Sequence, residues 1–237
     1  MRQMIKFFNF LILIILACSG ITVSASESCF PVCLIQDTIS AKQILYNGRI
    51  WRNFYSYKVK GDQFLFSQKF LPGSVTMNGQ TFEGIDLRYD IYNDEVMIIT
   101  SANNILQLNK EMVDRFSIIF NLTRHNFVNV ENDSLASLKG YAEILFDGKT
   151  SLYVKHSKEI QRLKEGKILE NFIPVQKTFI VKEGRDNYIK KKKDLKKLLI
   201  DKKIQVRSYL RSNKIKISKT SPQSIVPVLK FYESLGQ

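Results

Sequence analysis

The sequence predicts an α+β protein in which an antiparallel β meander, forming a half-barrel or a sandwich, precedes three short C-terminal helices packed on it. Three observations support this fold class. Apolar and polar residues alternate with period two through the middle of the chain, and two-residue turn signals separate the alternating stretches. Apolar residues recur at helical spacing only after Lys190. Parallel strands would need crossover connections, and no strand–helix–strand pattern is visible.

The clearest strand signal runs from Ile85 to Tyr92, where odd-numbered residues are apolar or aromatic and even-numbered ones are mostly charged. Successive side chains of a strand point to opposite faces of its sheet. The pattern therefore predicts a buried face of Ile85, Leu87, Tyr89 and Ile91 and an exposed face carrying Asp86, Arg88 and Asp90. Asp86 and Asp90 would lie about 13 Å apart, too far for the carboxylate pair of an ordinary glycosidase.

Turn signals divide the remaining strands. Asn78-Gly79 and Asp147-Gly148 have the composition of tight type I′ hairpin turns, and Asn93-Asp94 and Glu183-Gly184 predict two more turns. Further short strands are predicted at Val75 to Met77, Gln80 to Phe82, Glu95 to Thr100, Ile105 to Leu108, Phe116 to Phe120, Phe127 to Val130, Gly140 to Phe146, Lys149 to Lys155 and Thr178 to Lys182.

Helical spacing begins with the stripe formed by Leu195, Leu198 and Leu199, and Asp201 is predicted to cap the next helix. That second helix runs from Lys202 to about Ser212. The third begins at Ser221-Pro222, with Pro227 predicted to kink it or delay its start. The side chains predicted to face inward from these two helices are Val206, Tyr209, Leu210, Ile225, Val228, Leu229, Tyr232 and Leu235.

The first residues predict export. Arg2 and Lys6 precede an apolar run from Phe7 to Ala17, which has the length of a secretory signal rather than of a permanent membrane anchor. Cleavage after Ala25 would release a secreted or periplasmic protein. The alternative is a lipoprotein signal in which Cys18 is acylated and the protein is tethered to the outer membrane. We therefore divide the chain into a signal peptide (1–25), an N-terminal tail (26–43), a β domain (44–189) and a basic helical segment (190–237).

Cys29 and Cys33 remain after either cleavage. They are predicted to form a disulfide or to stay as two free thiols. Metal coordination needs more ligands than two thiols, and the two histidines, His125 and His156, lie far away in the sequence within polar surroundings that predict exposure. The sequence therefore predicts neither a metal nor a cofactor.

The net charge of +14 is uneven. Residues 26–181 carry 18 Lys and Arg against 17 Asp and Glu, whereas residues 182–237 carry 16 against 5. The basic stretch predicts either a solvated helix face or a surface that binds an anionic partner, such as lipid headgroups, acidic glycans or a complementary protein. An exported protein rarely meets nucleic acid, and the stretch lacks interleaved aromatic residues for base stacking. The candidate binding residues are Lys190, Lys191, Lys192, Lys193, Lys196, Lys197, Lys202 and Lys203.

Aromatic residues crowd the segment before the first strands. They predict either core packing or a ligand platform, for which the candidates are Tyr46, Trp51 and Tyr55. The sequence contains no nucleophile motif and no phosphate loop, so it predicts no catalytic residue.

Four stretches of the chain resemble uncharacterised exported β-rich envelope proteins that are common in Bacteroidetes. They are YNGRIWRNFY, FLPGSVTMNGQTFEGIDLRYDIYNDEV, GYAEILFDGK and the closing KKDLKKLLIDKK…YLRSNKIKI…VLKFYESL. The resemblance covers roughly residues 44 to 235. It implies an envelope location and an order of strands followed by helices, and it transfers no catalytic residue.

These features together predict an exported, non-enzymatic binding or structural component of the cell envelope, acting through its sheet face or its basic helices. One alternative is a carrier that holds a lipid or acyl chain between a curved sheet and the C-terminal helices. A second alternative is a hydrolase whose site is not recognisable in the sequence. The oligomeric state is not predicted.

Overall fold

The computed structural model describes residues 43–52, 59–165, 167–218 and 221–236, apart from the side chains of 163–169. The described residues belong to one compact unit, Ser40–Gln237. Cys18, Cys29, Cys33, Tyr55, the proposed signal peptide and the predicted tail up to residue 42 lie outside the described residues.

Within the described residues, twelve strands form one sheet, and every pair of neighbouring strands but one is antiparallel. The order is β1-β6-β5-β4-β3-β7-β8-β9-β10-β11-β12, with β2 pairing in parallel with β11. This confirms the predicted β-rich, mainly antiparallel fold with helices. The strands are β1 Gly48–Ile50, β2 Val59–Lys60, β3 Leu71–Met77, β4 Gln80–Asp90, β5 Glu95–Ile99, β6 Ile105–Leu108, β7 Val113–Phe120, β8 Thr123–Asn129, β9 Tyr141–Phe146, β10 Thr150–Glu165, β11 Lys167–Lys182 and β12 Arg185–Tyr188.

Residues 43–45 form a helical turn before β1, and the other helices follow the last strand. They are α1 Lys192–Leu198, α2 Lys203–Ser212 and α3 Val226–Ser234, with 3₁₀ segments at Ile200–Lys202 and Pro222–Ile225. The predicted number of three is therefore approximate, because the two 3₁₀ segments lead into α2 and α3. Pro227 lies in the first turn of α3, where its missing N–H removes no helical hydrogen bond. Of the predicted inward residues, Leu235 is 37% exposed.

The helices and the sheet share a cluster of ten buried apolar side chains. Leu152 of β10 and Ile180 of β11 are fully buried against the helices, and Leu195 and Leu199 are each only 1% exposed. The members of the cluster are Leu152, Ile180, Leu195, Leu199, Val206, Leu210, Ile225, Val228, Leu229 and Tyr232. Burying this apolar surface is the main force that holds the helices to the sheet.

Polar contacts fix the position of the helices more closely. Lys182 Nζ on β11 donates to the Tyr232 hydroxyl at 2.7 Å, and that hydroxyl donates to Asp201 Oδ2 at 2.6 Å. Asp201 thus joins the first 3₁₀ segment to α3 and β11, and it is not a cap as predicted, because no side-chain cap bond is formed there. Glu233 accepts a hydrogen bond from the Thr150 backbone N–H at 2.6 Å, which ties α3 to the start of β10.

The sheet is strongly curved. The ring of Tyr89 on β4 lies 5.9 Å from the ring of Tyr141 on β9, although β3, β7 and β8 separate these strands in the sheet order. Phe116 and Phe127 stack between them, with ring centroids 4.7 Å apart. A flat sheet would place β4 and β9 about 19 Å apart, at the usual strand spacing.

Asp94, in the turn after β4, bonds to side chains that the curvature of the sheet brings close to it. Its carboxylate accepts hydrogen bonds from Lys110 Nζ and Lys155 Nζ, each at 2.8 Å, and from the Tyr89 hydroxyl. Burial raises the pKa of Asp94, but Lys155, Lys110 and Tyr89 together hold the pKa below its ordinary value. Gly140 has a φ of +70°, and a Cβ at this position would overlap Asp94 Oδ2. Only glycine therefore allows this approach.

The predicted exposed face of β4 is wrong at two of its three charged positions. Arg88 is 9% exposed and Asp90 is fully buried, because the segment that leads into β3 packs over them. The guanidinium of Arg88 lies 4.0 Å from the Phe64 ring and 4.5 Å from the Phe70 ring. Asp90 accepts hydrogen bonds from Gln63 and from the turn that follows β4. Both faces of the C-terminal end of β4 are therefore covered.

The hairpin formed by β10 and β11 is much longer than predicted. Each strand has 16 residues, whereas the sequence pattern predicted strands ending at Lys155 and starting at Thr178. Residues 156–177 have no alternation of apolar and polar side chains. The two strands pair continuously from Thr150↔Lys182 to Glu165↔Lys167, so backbone pairing extends the hairpin beyond its short contact with β9.

Candidate functional site

The predicted lysine cluster lies on α1, α2 and the residues just before α1. Seven of its eight lysines are exposed, and we call these seven the basic surface: Lys190, Lys191, Lys192, Lys193, Lys196, Lys197 and Lys203. None of the seven ammonium groups forms an ion pair with any residue in the described part of the chain. Their charges are therefore not neutralised by a nearby acid within the described structure.

The eighth lysine of the cluster has a structural role. Lys202 is half-buried, and its Nζ lies 5.0 Å from the centre of the Tyr232 ring and 3.4 Å from the Tyr232 carbonyl oxygen. This cation–π contact and hydrogen bond hold the turn before α2 against α3. Lys202 is therefore less available to a partner than the seven exposed lysines.

The acids near the basic surface are both engaged in local contacts. Asp194 Oδ2 accepts hydrogen bonds from the backbone N–H groups of Lys190 and Lys191, at 3.1 and 2.7 Å, and so begins α1. Asp201 accepts from Tyr232 and Lys182. The backbone of the basic surface is thus fixed by its cap at one end and by contacts with β11 and α3 at the other.

Two apolar side chains are exposed beside the lysines, and the sequence pattern did not predict their exposure. Ile200 is 65% exposed and Ile204 is 82% exposed. They are four residues apart, and Arg207 and Arg211 follow Ile204 on the solvent side of α2, three and seven residues later. Their exposure could not be inferred from hydrophobicity, because the same stretch contains the buried Leu195, Leu199 and Val206.

The predicted aromatic platform is only partly described. Tyr46 is 41% exposed, and Trp51 is half-buried against the Phe64 ring at 6.0 Å and the Arg88 guanidinium at 4.9 Å. Tyr55 lies outside the described residues. Among the described residues, Trp51 thus covers a buried arginine, and no ring contact joins it to Tyr46.

A polar cleft of about 650 Å³ lies beside β1 and β6, and a second of about 290 Å³ adjoins it at Trp51. Arg49, Glu95 and Gln107 line both clefts. Arg49 Nε donates to Gln107 Oε1 at 2.8 Å and Nη2 donates to Glu95 Oε1 at 3.1 Å, so these polar groups satisfy one another. Burial raises the pKa of Glu95.

The two histidines are not exposed as predicted, because both contact the same buried carboxylate. His125 Nδ1 lies 2.6 Å from Glu143 Oε1, and His156 Nε2 lies 2.6 Å from Oε2. The side chain of Glu143 is 5% exposed, and the two imidazoles are 17% and 15% exposed. Burial raises the pKa of Glu143, but hydrogen bonds from His156 and His125 outweigh it and hold the pKa below its ordinary value.

The pairing of the histidines was hidden in the sequence because it crosses three strands. The one available signal was Glu143 itself, a charged residue in the otherwise apolar stretch YAEILF. A carboxylate that orients an imidazole is also found in catalytic sites. Here, however, neither histidine lines either of the two clefts described above. The geometry supports a buried polar cluster that joins β8, β9 and β10.

Comparisons with known proteins identify no relative: no family model, no curated protein and no solved structure matches this chain. Within residues 43–52, 59–165, 167–218 and 221–236, no three His, Cys, Asp or Glu side chains are placed to hold a metal ion. Over those same ranges, every helix is too short or too polar to span a lipid bilayer.

Proposed function

We propose that this protein is an exported, non-enzymatic binding component of a cell envelope and that it binds an anionic partner through its basic surface. The single observation that carries the proposal is the set of seven exposed lysines, on and just before helices packed on the sheet, which form no ion pair with the described residues. Export rests on the apolar N-terminal segment and on the resemblance of residues 44 to 235 to envelope proteins.

The uneven distribution of charge along the chain supports this proposal. In residues 26–181 the excess of basic over acidic residues is only one, whereas in residues 182–237 it is eleven. Each lysine near an anionic surface contributes about 1 kcal/mol of attraction at moderate salt. Seven of them acting together give appreciable binding without any single specific contact.

The type of cation indicates how the partner is recognised. Lysine presents a compact ammonium charge on a flexible stem, whereas arginine forms planar bidentate contacts. The seven lysines of the basic surface outnumber the two exposed arginines beside it on α2, Arg207 and Arg211. We therefore infer that the surface responds to the density of negative charge on its partner, and that salt weakens the binding.

The curved sheet has a supporting role in this proposal. The contact between Tyr89 on β4 and Tyr141 on β9 favours the half-barrel form of the predicted fold over a sandwich. Docking α1, α2 and α3 on that half-barrel fixes the backbone of the lysines before any partner arrives. A surface fixed in advance loses less conformational entropy on binding than a disordered basic tail.

The alternative of an acyl-chain carrier requires an apolar cavity between the sheet and the helices. The ten side chains of the shared cluster pack in the described part of that interface, with Val228 and Leu229 fully buried. The cavity that Leu199, Val206 and Leu210 line measures only about 150 Å³, whereas ligand pockets usually measure about 300 Å³ or more. The hydrolase alternative requires unpaired acidic or histidine side chains in an open cleft. The Glu143 cluster lines neither of the two clefts beside β1, and Glu95, which lines both, is paired with Arg49. Neither alternative has the support that the basic surface has.

The test is binding to heparin, a soluble acidic glycan, at low and high salt. A variant with Lys192→Gln, Lys193→Gln, Lys196→Gln and Lys197→Gln should bind at least about tenfold more weakly than the wild type at low salt, since each charge adds to the attraction. The matched control carries Lys60→Gln, Lys69→Gln, Lys149→Gln and Lys177→Gln, which are exposed lysines outside the basic surface. Both variants lose four charges, so a difference between them reports on position rather than on net charge.

Equal heparin affinity for the two variants would show that the basic surface is not the binding site. An affinity that does not change between low and high salt would exclude charge density as the basis of recognition.

A further inference from the structure

We propose that the anionic partner of the basic surface is a lipid bilayer and that Ile200 and Ile204 enter its interfacial region. This inference rests on the proposed function, because it names the chemistry of the same surface's partner. It goes further by assigning a role to two apolar residues that charge attraction alone leaves unexplained.

Both isoleucines are largely exposed to solvent. Ile200 and Ile204 are 65% and 82% exposed, whereas the large apolar side chains around them are buried. A single exposed apolar residue is common on a protein surface and needs no explanation. Two exposed isoleucines only four residues apart, among exposed lysines and arginines, form a different pattern.

Cationic side chains lie close to the two isoleucines in the sequence. Lys196, Lys197 and Lys203 lie within four residues of Ile200, and Arg207 and Arg211 follow Ile204 on the solvent side of α2. Helices that lie on membranes have this composition, with apolar side chains entering the boundary between headgroups and acyl chains and cations beside them. The cations meet lipid phosphates while their stems cover the apolar boundary.

The combination of exposed isoleucines and cations favours a bilayer over other anionic partners. A soluble acidic glycan offers negative charge but no apolar phase, so it would gain nothing from the isoleucines. An anionic bilayer offers both, and two weak signals together give membrane binding that neither gives alone. The fixed backbone supports this, because contacts of Lys182 and Tyr232 with Asp201 hold the residue next to Ile200 in place.

The experiment is sedimentation with vesicles of phosphatidylcholine alone and of phosphatidylcholine mixed with phosphatidylglycerol. We expect the wild type to bind only the mixed vesicles. Ile200→Ser with Ile204→Ser should weaken that binding by about tenfold or more, because the apolar contribution is lost. The same double variant should bind heparin within about twofold of the wild type, since its charge is unchanged.

The matched control is Leu122→Ser. Leu122 is a fully exposed apolar residue in the turn between β7 and β8, outside the basic surface. Its variant should bind the mixed vesicles as the wild type does. All variants share the same N-terminal residues, so differences among them report on the substituted positions.

A variant that gains a fluorescence signal on binding tests the inference without relying on a loss of binding. The chain has one tryptophan, Trp51, which is half-buried. Ile204→Trp should add a fluorescence signal that shifts to shorter wavelength with mixed vesicles and stays unchanged with heparin.

The outcomes separate this inference from the proposed function. Heparin binding that depends on the basic surface, together with equal vesicle binding by the wild type and the Ile200/Ile204 variant, would overturn the bilayer inference alone. The absence of vesicle binding by the wild type would do the same. Failure to bind both heparin and mixed vesicles would overturn the proposed function as well.

Discussion

The β body and the basic helical segment use charge in opposite ways. In the body, two carboxylates that are largely covered are paired with basic side chains: Asp94, 19% exposed, with two lysines, and Glu143, 5% exposed, with two histidines. On α1, α2 and the residues just before α1, seven lysines are exposed and form no ion pair within the described structure. A buried charge must have a partner inside the protein, because desolvation is costly. An exposed charge has no such requirement and remains available to a partner outside.

The comparison predicts that removing charge damages the body and leaves the helical segment folded. The largest effect should come from Asp94→Asn, which leaves Lys155 and Lys110 without their shared carboxylate. We expect the free energy of unfolding to fall by about 3 kcal/mol, because a buried cation loses its counter-charge. Urea denaturation at neutral pH measures this change.

The control for Asp94→Asn is Glu83→Gln, whose ion pair with Arg124 is a 3.9 Å contact between exposed side chains. That variant should change stability by less than about 0.5 kcal/mol. Similar losses for the two variants would mean that burial does not distinguish the charges of the body.

The next effect concerns Glu143 and depends on pH. Its pKa in the folded protein lies below the ordinary value of 4.5, so its contribution to stability is present above pH 4.5 and is lost as the pH falls through the folded pKa. Glu143→Gln should therefore destabilise the protein by about 2 kcal/mol at pH 7, where it removes a charged acceptor.

At pH values below the folded pKa, the wild-type Glu143 is itself neutral, so the difference between wild type and variant should shrink. Urea midpoints measured across this range test the prediction. A difference that stays constant, or that grows as the pH falls, would contradict the assignment of Glu143 as an ionised partner of both histidines.

A smaller effect is expected where the helices meet the sheet. Tyr232→Phe removes the hydroxyl that links Lys182 and Asp201 and should lower the free energy of unfolding by about 1–2 kcal/mol. Tyr209→Phe is the control. The Tyr209 ring stacks on Phe231 at 4.0 Å, and its hydroxyl has no hydrogen bond to the described residues, so its loss should be close to neutral.

The smallest effect should come from the basic surface itself. Replacing Lys192, Lys193, Lys196 and Lys197 by Gln should change the free energy of unfolding by less than about 0.5 kcal/mol, because exposed unpaired charges contribute little to stability. Thermal denaturation at low salt measures this. A loss above about 1 kcal/mol would show that these lysines hold the helices, and the comparison between the two regions would fail.

The sequence predicted those elements whose pattern is local. Both residues of the Asn78-Gly79 and Glu183-Gly184 turns have positive φ values, which glycine and asparagine adopt more readily than other residues. Neither Asp147 nor Gly148 has a positive φ, so the predicted type I′ turn at this connection is wrong. The turn at Asn121 and Leu122 was not predicted, because leucine seldom adopts its φ of +62°. The long part of the β10–β11 hairpin was missed for a related reason: its side chains do not alternate, and backbone pairing decides its length.

The candidate site was predicted in part. The lysines were identified because their number and spacing are visible in the sequence. Lys202 was grouped with them, although Tyr232, 30 residues away, holds its ammonium group. Ile200 and Ile204 were not recognised as exposed, since hydrophobicity says that a residue prefers burial and does not say whether a surface is there to cover it.

The sequence by itself determined the β-rich fold, most of its turns, the helical stripe and the separation between a near-neutral body and a basic end. Each follows from residues close together in the chain, where periodicity and turn chemistry act. The tertiary structure alone decided that Arg88 and Asp90 are buried, that Glu143 joins two histidines, and that Asp94 meets Lys155 across 61 residues of sequence. Alternation along one strand specifies only its own two faces, and what covers each face depends on segments that meet after the sheet has curved.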